Sequence, residues 1–513
     1  MSLNRRSFLR RTTLALATGA IAAPAMVRAA EPATFKPGEK PRRIIHLVAD
    51  GMSLATLSCS DHLSQAVRGR GLSWLALTRR AGAANGLMNV RSLNSLVTDS
   101  SASSSAWGSG SRVVNGALNV LPDGRRLRTL NQLFGEAGWK RGLVTTVEIT
   151  HATPAGFTVN ADSRSSNDDI ARQYFDLRIE VLLGGGSQFF DPDRRKDKRN
   201  LRQDFQTAGY ATLTDREALT TARSSQPWLG LFGVSHLPYT VDHRNDPQLL
   251  ASVPTLAEMT AAALRKLEGE EHFLMQIEGG RVDQAAHLND AAGAFYDLIA
   301  FDEALDTCLE FQRRQPDTLL VVTTDHGTGG PSLNGAGTDY NDSVPLLHNL
   351  AKVKKSHAEI IRQIQGRVDF DGEAYKDAAR ESQRQADAGQ VIEIIRAATD
   401  YTPSARRVAR LLEFFAKKGD ALYELMNSGT AQLGQLMGNY VGVGWTSLNH
   451  TSDYVPIVAS GPGAERFHGL IQNVDLFRHY TQLAGIDFKN PEVPLLAESG
   501  PSATAVEPAT YLV

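Results

Sequence analysis

The chain has 513 residues, 42% of them hydrophobic and 7% aromatic, and a formal charge of −2. That length can bury a large core, and the composition is that of a soluble globular protein. The balanced charge, with no basic block beyond the N-terminus, excludes the footprint of a nucleic-acid partner. No later run reaches the ~18 apolar residues of a spanning helix, so no stable membrane anchor is expected.

In chain order, the first informative segment is Asn4-Arg5-Arg6-Ser7-Phe8-Leu9-Arg10, followed by small apolar residues from Thr13 to Ala25 and a small-residue site near Val27-Arg28-Ala29. A basic start, a short apolar region and a small-residue end predict a signal peptide over residues 1–29. The paired arginine before Ser-Phe-Leu resembles the twin-arginine export signal, which implies a periplasmic or secreted product. Removing those residues, with their five arginines and no acid, would take the formal charge from −2 to −7.

Continuous apolar runs then predict buried strands at Arg43–Ala49, Gly142–Val147, Glu180–Leu183, His272–Ile277, Thr318–Thr323 and Val455–Ala459. Alternating with helical patterns, they predict a three-layer α/β/α sandwich on a mixed, mostly parallel sheet, built from residues 36–349 and 441–490. Residues 350–440 are charged and helical: Val408, Leu411, Leu412 and Phe415 share one helical face, and Thr402-Pro403 suits a helix start. They read as an insertion that would cover the active site, restrict substrate size, form a homodimer contact or stand as a solvated cap. Residues 491–513 read as a tail. Cys308 lies in an apolar helical set and Cys59 in a small-apolar context. Both suit packed thiols, and a bridge between them is the alternative an oxidising compartment would allow.

The chemistry lies near the strand ends, where open α/β sheets bind ligands. Asp50 follows the first strand, and Asp325-His326 follows the strand ending at Thr323. Asp283 and His287 are four apart, which on a helix puts both on one face, able to hold one ion. His450 precedes the strand at Val455. Carboxylates with imidazoles and no thiolate suit zinc in a catalytic role. Ser100 stands in Thr98-Asp99-Ser100-Ser101-Ala102, at the start of a run of small residues that suits a tightly packed helix facing an anion. No Gly-x-Ser-x-Gly elbow surrounds it, which disfavours acyl transfer. Gly184-Gly185-Gly186 lacks the Gly-Lys-Ser/Thr of a phosphate loop and reads as a backbone turn. His46 and His62 read as structural histidines.

In order, Asp50-Gly51-Met52, Thr98-Asp99-Ser100 to Ala106-Trp107, Asn115-Gly116-Ala117-Leu118, His151-Ala152-Thr153-Pro154-Ala155-Gly156, Leu183-Gly184-Gly185-Gly186, Glu278-Gly279-Gly280-Arg281-Val282-Asp283, Thr324-Asp325-His326 and His450-Thr451 resemble the alkaline phosphatase family. The resemblance covers nearly all of the chain beyond the leader except the helical insertion. It implies hydrolysis of small phosphate monoesters through a phosphoserine on Ser100. It assigns one zinc ion to Asp283, His287 and His450, and a second to Asp50, Asp325 and His326. A magnesium ion would sit on Asp50, Thr153 and Glu278. It makes Arg164 the phosphate-binding guanidinium and Asp99 its orienting partner. His151 and Gln284, both near that third site, depart from the best-known bacterial pattern, and the imidazole admits zinc in place of magnesium there. A phosphodiesterase or sulfatase of the same superfamily is the nearest alternative, and a catalytically dead binding protein the next. Arg164, Thr153 and Glu278 favour the monoesterase.

Overall fold

The computed structural model describes residues 40–222, 225–335, 338–371 and 380–496. The segment read as a leader and residues 497–513 of the tail lie outside them. The first strand shows how the layers form. Every residue of β1 (Arg43–Val48) is buried, because helices cover both faces of the sheet. Alternate side chains point opposite ways, so Ile45 and Leu47 enter one apolar core while Ile44 and Val48 enter the other.

The remaining strands of the main sheet are β2 (Ala84–Asn89), β3 (Lys140–Glu148), β4 (Val181–Gly185), β5 (Ala211–Leu213), β6 (Trp228–Leu231), β7 (Phe273–Glu278) and β8 (Thr318–Thr323). Four two-residue strands follow: β9 (Gly327–Thr328), β10 (Ser332–Leu333), β11 (Val443–Gly444) and β12 (His450–Thr451). β13 (Val455–Ser460) and β14 (Gly469–Gln472) return to the main sheet. Its ten strands run in the order β14-β2-β13-β8-β1-β7-β3-β4-β6-β5. β13 is antiparallel to both neighbours, and every other pairing is parallel. The fold is therefore an α/β sandwich around a mixed, mostly parallel sheet. β8, β1, β7 and β3 are adjacent and parallel, so their carboxyl ends open on one edge of the molecule.

Two helices set the layers. Ala291–Arg314 buries Phe295, Leu298, Phe301 and Leu305 in the first core, and Ser100–Ser109 buries Trp107 in the second. Cys59 and Cys308 are buried free thiols, not a bridge. His46 is a structural histidine: its Nδ1 lies 2.9 Å from the Tyr480 hydroxyl, its ring stacks on Phe157, and burial pushes it down to about 3.

Between β10 and β11, which pair with each other, the described chain is helical. Ile360, Ile364, Val391, Ile395, Val408, Leu412 and Leu433 form a separate core there. The helix carrying Val408 begins at Ala405, behind Ser404, so Thr402-Pro403 stands just outside it.

Candidate active site

Four strand ends deliver the site. The turn after β1 carries Asp50, β7 ends on Glu278, Asp325 and His326 follow β8, and His151 follows β3. Gly51 N–H and His326 N–H both donate to Asp325 Oδ1 at 3.0 Å, which locks the turns after β1 and β8 together. The helix Arg281–His287 then places Asp283 and His287 one turn apart, with His287 Nε2 3.3 Å from Asp283 Oδ2. His450 arrives from far along the chain because β12 pairs with β9, two residues past His326. Its Nδ1 lies 2.8 Å from the Thr98 carbonyl, and its Nε2 lies 3.0 Å from His287 Nε2.

These side chains form three groups whose ligand atoms lie within 4.8 Å of one another: Asp283, His287 and His450; Asp50, Asp325 and His326; Asp50, His151 and Glu278. The first two are the sets expected from sequence. The third contains His151, which the sequence placed only nearby, and Thr153 joins it by donating to Asp50 Oδ2 at 3.3 Å.

Ser100 begins the helix Ser100–Ser109, which Asp99 caps by accepting from Ala102 N–H at 2.8 Å. Ser100 Oγ lies 3.2 Å from His326 Nε2. Asp99 also accepts from Ser101 Oγ at 2.6 Å, Gly116 N–H at 2.9 Å and Arg164 Nη1 at 3.3 Å. Despite burial, which works to raise it, Arg164 and these donors hold the Asp99 carboxyl below its ordinary value. Arg164 Nη2 lies 3.3 Å from His151 Nε2, so one guanidinium spans the cap of the Ser100 helix and the third group.

A family profile described as alkaline phosphatase matches residues 41–486. The chain belongs to the alkaline phosphatase family. It is 33% identical to alkaline phosphatase 3 of Bacillus subtilis over 392 residues, 75% of this chain and 76% of that one. With alkaline phosphatase 4 of the same organism it shares 31% over 386 residues, 74% and 75% of the two chains. The solved structure of Thermus thermophilus alkaline phosphatase matches at TM-score 0.79 and 32% identity, covering 90% of this chain and 95% of that one. As a member of this metal-dependent family, the chain is a phosphomonoesterase.

The charges explain why an alkaline phosphatase of this sequence suits cations. Asp50, Glu278, Asp283 and Asp325 are all buried within the three groups. Burial, then Asp325, Asp283 and Glu278, push the Asp50 carboxyl well above the carboxylate range. Burial also opposes ionisation of Asp283, but His287, His450 and His326 pull it well below the usual value. Burial works to raise Asp325, but His326 and the Gly51 N–H together bring it down to about 2. Burial and the neighbouring His326 push His450 down to about 3. Asp50 Oδ1, Asp325 Oδ2, Glu278 Oε1 and His151 Nδ1 are buried with no hydrogen-bond partner. Orphaned acceptors cost free energy unless a cation meets them. The donor set, carboxylate and imidazole without thiolate, therefore fits divalent ions.

Three supporting residues escaped the sequence reading. Thr328 Oγ donates to Asp283 Oδ1 at 2.6 Å, and its place two residues after His326 was the available signal. Thr145 Oγ donates to Glu278 Oε2 at 2.6 Å, because the β3–β7 register sets these residues side by side. His236 accepts from Glu148 N–H at 3.2 Å and lies 3.0 Å from the Gln284 amide nitrogen, in a loop with no motif. Gln284 also accepts from Arg281.

Proposed function

We propose that the chain is an exported alkaline phosphatase in which Ser100 takes the phosphoryl group of a small phosphate monoester and passes it to water. The supporting observation is Ser100 Oγ on the first turn of a buried helix, 3.2 Å from His326 Nε2, with Arg164 held beside it by Asp99.

Asp283, His287 and His450 would hold one zinc ion, and Asp50, Asp325 and His326 a second. Asp50, Glu278, Thr153 and His151 would hold a magnesium ion or a third zinc. When bound, these ions supply Lewis acidity and positive charge to the reacting phosphoryl group. The helix amides and the Arg164 fork hold the nonbridging oxygens, and Asp99 and His151 fix the fork. Ser100 Oγ bonds to phosphorus as the ester P–O bond breaks, and its proton passes through solvent to the departing oxygen, which leaves as the alcohol. Water then bonds to phosphorus as the P–Oγ bond breaks, and the proton it loses returns to Ser100 Oγ, leaving phosphate and the serine hydroxyl. Arg164 stabilises the charge in both displacements. The paired arginines Arg5 and Arg6 would direct export to the periplasm or beyond.

The test is phosphate release from an aryl monoester by the mature chain, residues 30–513. We expect chelator-sensitive activity restored by zinc and magnesium, and a loss of at least ~10³ in Ser100→Ala. Acid quenching during turnover of labelled substrate should leave phosphate on Ser100. A folded, metal-loaded chain that cleaves diesters or sulfate esters but no monoester would overturn the reading. Export is checked by fractionation, with Arg5→Lys/Arg6→Lys expected to retain the precursor in the cytoplasm.

A further inference from the structure

A cavity of about 290 Å³ lies between the helix Ala291–Arg314 and the segment around Leu237 to Leu256, and none of its lining belongs to the phosphoryl-transfer site. Its volume sits at the lower edge of the range for small-molecule pockets, which suits a ligand with one ring. Leu237, Val253, Leu256 and Ile299 form an apolar part of its wall.

Its polar lining includes Thr146, Thr240, His243 and Thr255, and two adjacent residues of the long helix, Tyr296 and Asp297. Tyr296 is 2% exposed, and its hydroxyl is buried with no hydrogen-bond partner. Asp297 is 4% exposed; its oxygens accept from Thr240 N–H at 3.1 Å and Thr240 Oγ at 2.8 Å. Each carboxylate oxygen keeps a lone pair for a further donor.

Arg68, Arg244 and Glu303 also line the cavity, and Arg68 Nη1 is buried without a hydrogen-bond partner. Arg68 donates to Asp302 at 3.0 Å and lies 3.7 Å from Glu303, while the exposed Arg244 covers the Tyr296 ring at 4.4 Å. Burial pushes Asp297 up to about 7, over the opposing pull of Arg281 and the Thr240 donors. Burial likewise raises Glu303 against Arg68 and Arg70. Among the described residues, the buried Asp297 carboxyl accepts only from Thr240 and pairs with no cation, and the hydroxyl of the preceding residue, Tyr296, is unmet.

We propose that this cavity is a second small-molecule site, for a primary ammonium carried on a single apolar ring. The ammonium donates to the Asp297 carboxylate and to the Tyr296 hydroxyl oxygen. The ring replaces solvent against Leu237, Val253, Leu256 and Ile299, as apolar burial favours.

Benzylammonium is the probe, with benzyl alcohol and benzoate as neutral and anionic counterparts. Titration calorimetry on the metal-loaded mature chain, with inorganic phosphate saturating the phosphoryl-transfer site, should show one benzylammonium bound per chain. It should bind at least tenfold tighter than benzyl alcohol, and benzoate should give no binding. Asp297→Asn should weaken benzylammonium at least tenfold, and Ile299→Phe, which fills the cavity, should abolish it. Should Asp297→Asn fail to fold, Tyr296→Phe removes only the hydroxyl oxygen and should still weaken binding severalfold. No binding, equal affinity for the alcohol, or binding that survives Ile299→Phe would each overturn the proposal.

Discussion

At Gly51 the backbone turns with φ of +69°, and a Cβ there would meet Asp283 Oδ1 at 2.4 Å and Asp283 Cα at 2.7 Å. The Asp283 Cα and Cβ are fixed by the helix backbone and cannot swing aside, and the positive φ itself disfavours an L side chain. Gly51 thus lets Asp50 of one group approach Asp283 of another. Gly51→Ala should separate the groups, lower bound metal per chain and reduce kcat/KM at least tenfold. Elemental analysis of purified protein beside initial rates checks both. Residue by residue, the acids and imidazoles of the site were legible, because buried charge of this kind needs a chemical reason. Thr145 and His236 were not, since an ordinary threonine in a strand and a histidine in a loop carry no pattern until a partner stands beside them.

The helix that carries Ser100 is buried at every position from Ser100 to Ser109, which explains its run of serine, alanine and glycine. A Cβ on Gly108 would lie 2.1 Å from the Gly156 carbonyl oxygen, and one on Gly156 would lie 2.0 Å from Ser104 Oγ. The helix Ala152–Gly156, with Thr153, therefore crosses Ser100–Ser109 backbone against backbone. Gly108→Ala should force the two helices apart, costing about 1–3 kcal/mol of stability by overpacking. It should also lower kcat, because Ser100 and Thr153 ride on the displaced elements. Thermal unfolding and initial rates report the two effects. Among the elements, strands with continuous apolar sequence were readable, and β1, β3, β7, β8 and β13 lie where the pattern puts them. β2, of sequence ANGLMN, was missed. Its Asn-Gly pair reads as a turn, and only pairing with β13 and β14 makes it a strand.

Over the whole molecule, four buried carboxyls gather at the ends of adjacent strands, joined by His151, His287, His326 and His450. Mutual repulsion among the acids opposes folding unless bound cations offset it. Chelation should therefore lower the thermal midpoint by about 5 °C or more, with recovery on adding zinc and magnesium, as ligand binding to the folded state requires. Scanning calorimetry of treated and restored protein is the measurement, and an unchanged midpoint would count against metal as a structural component. The amino-acid sequence by itself determined the layer architecture, since a strand covered on both faces must be apolar along its length. It also determined the ligand types, since carboxylate and imidazole without thiolate narrow the chemistry to hard or borderline cations. Only the tertiary structure decided which ligands share an ion-sized space. His151 enters the third group, and β12 pairing with β9 draws His450 to Asp283, because side chains distant in sequence meet only through strand order and register. The cavity beside Asp297 is likewise a product of packing. Its apolar walls come from separate segments that no periodicity links, closed against a helix whose own pattern shows only a buried face.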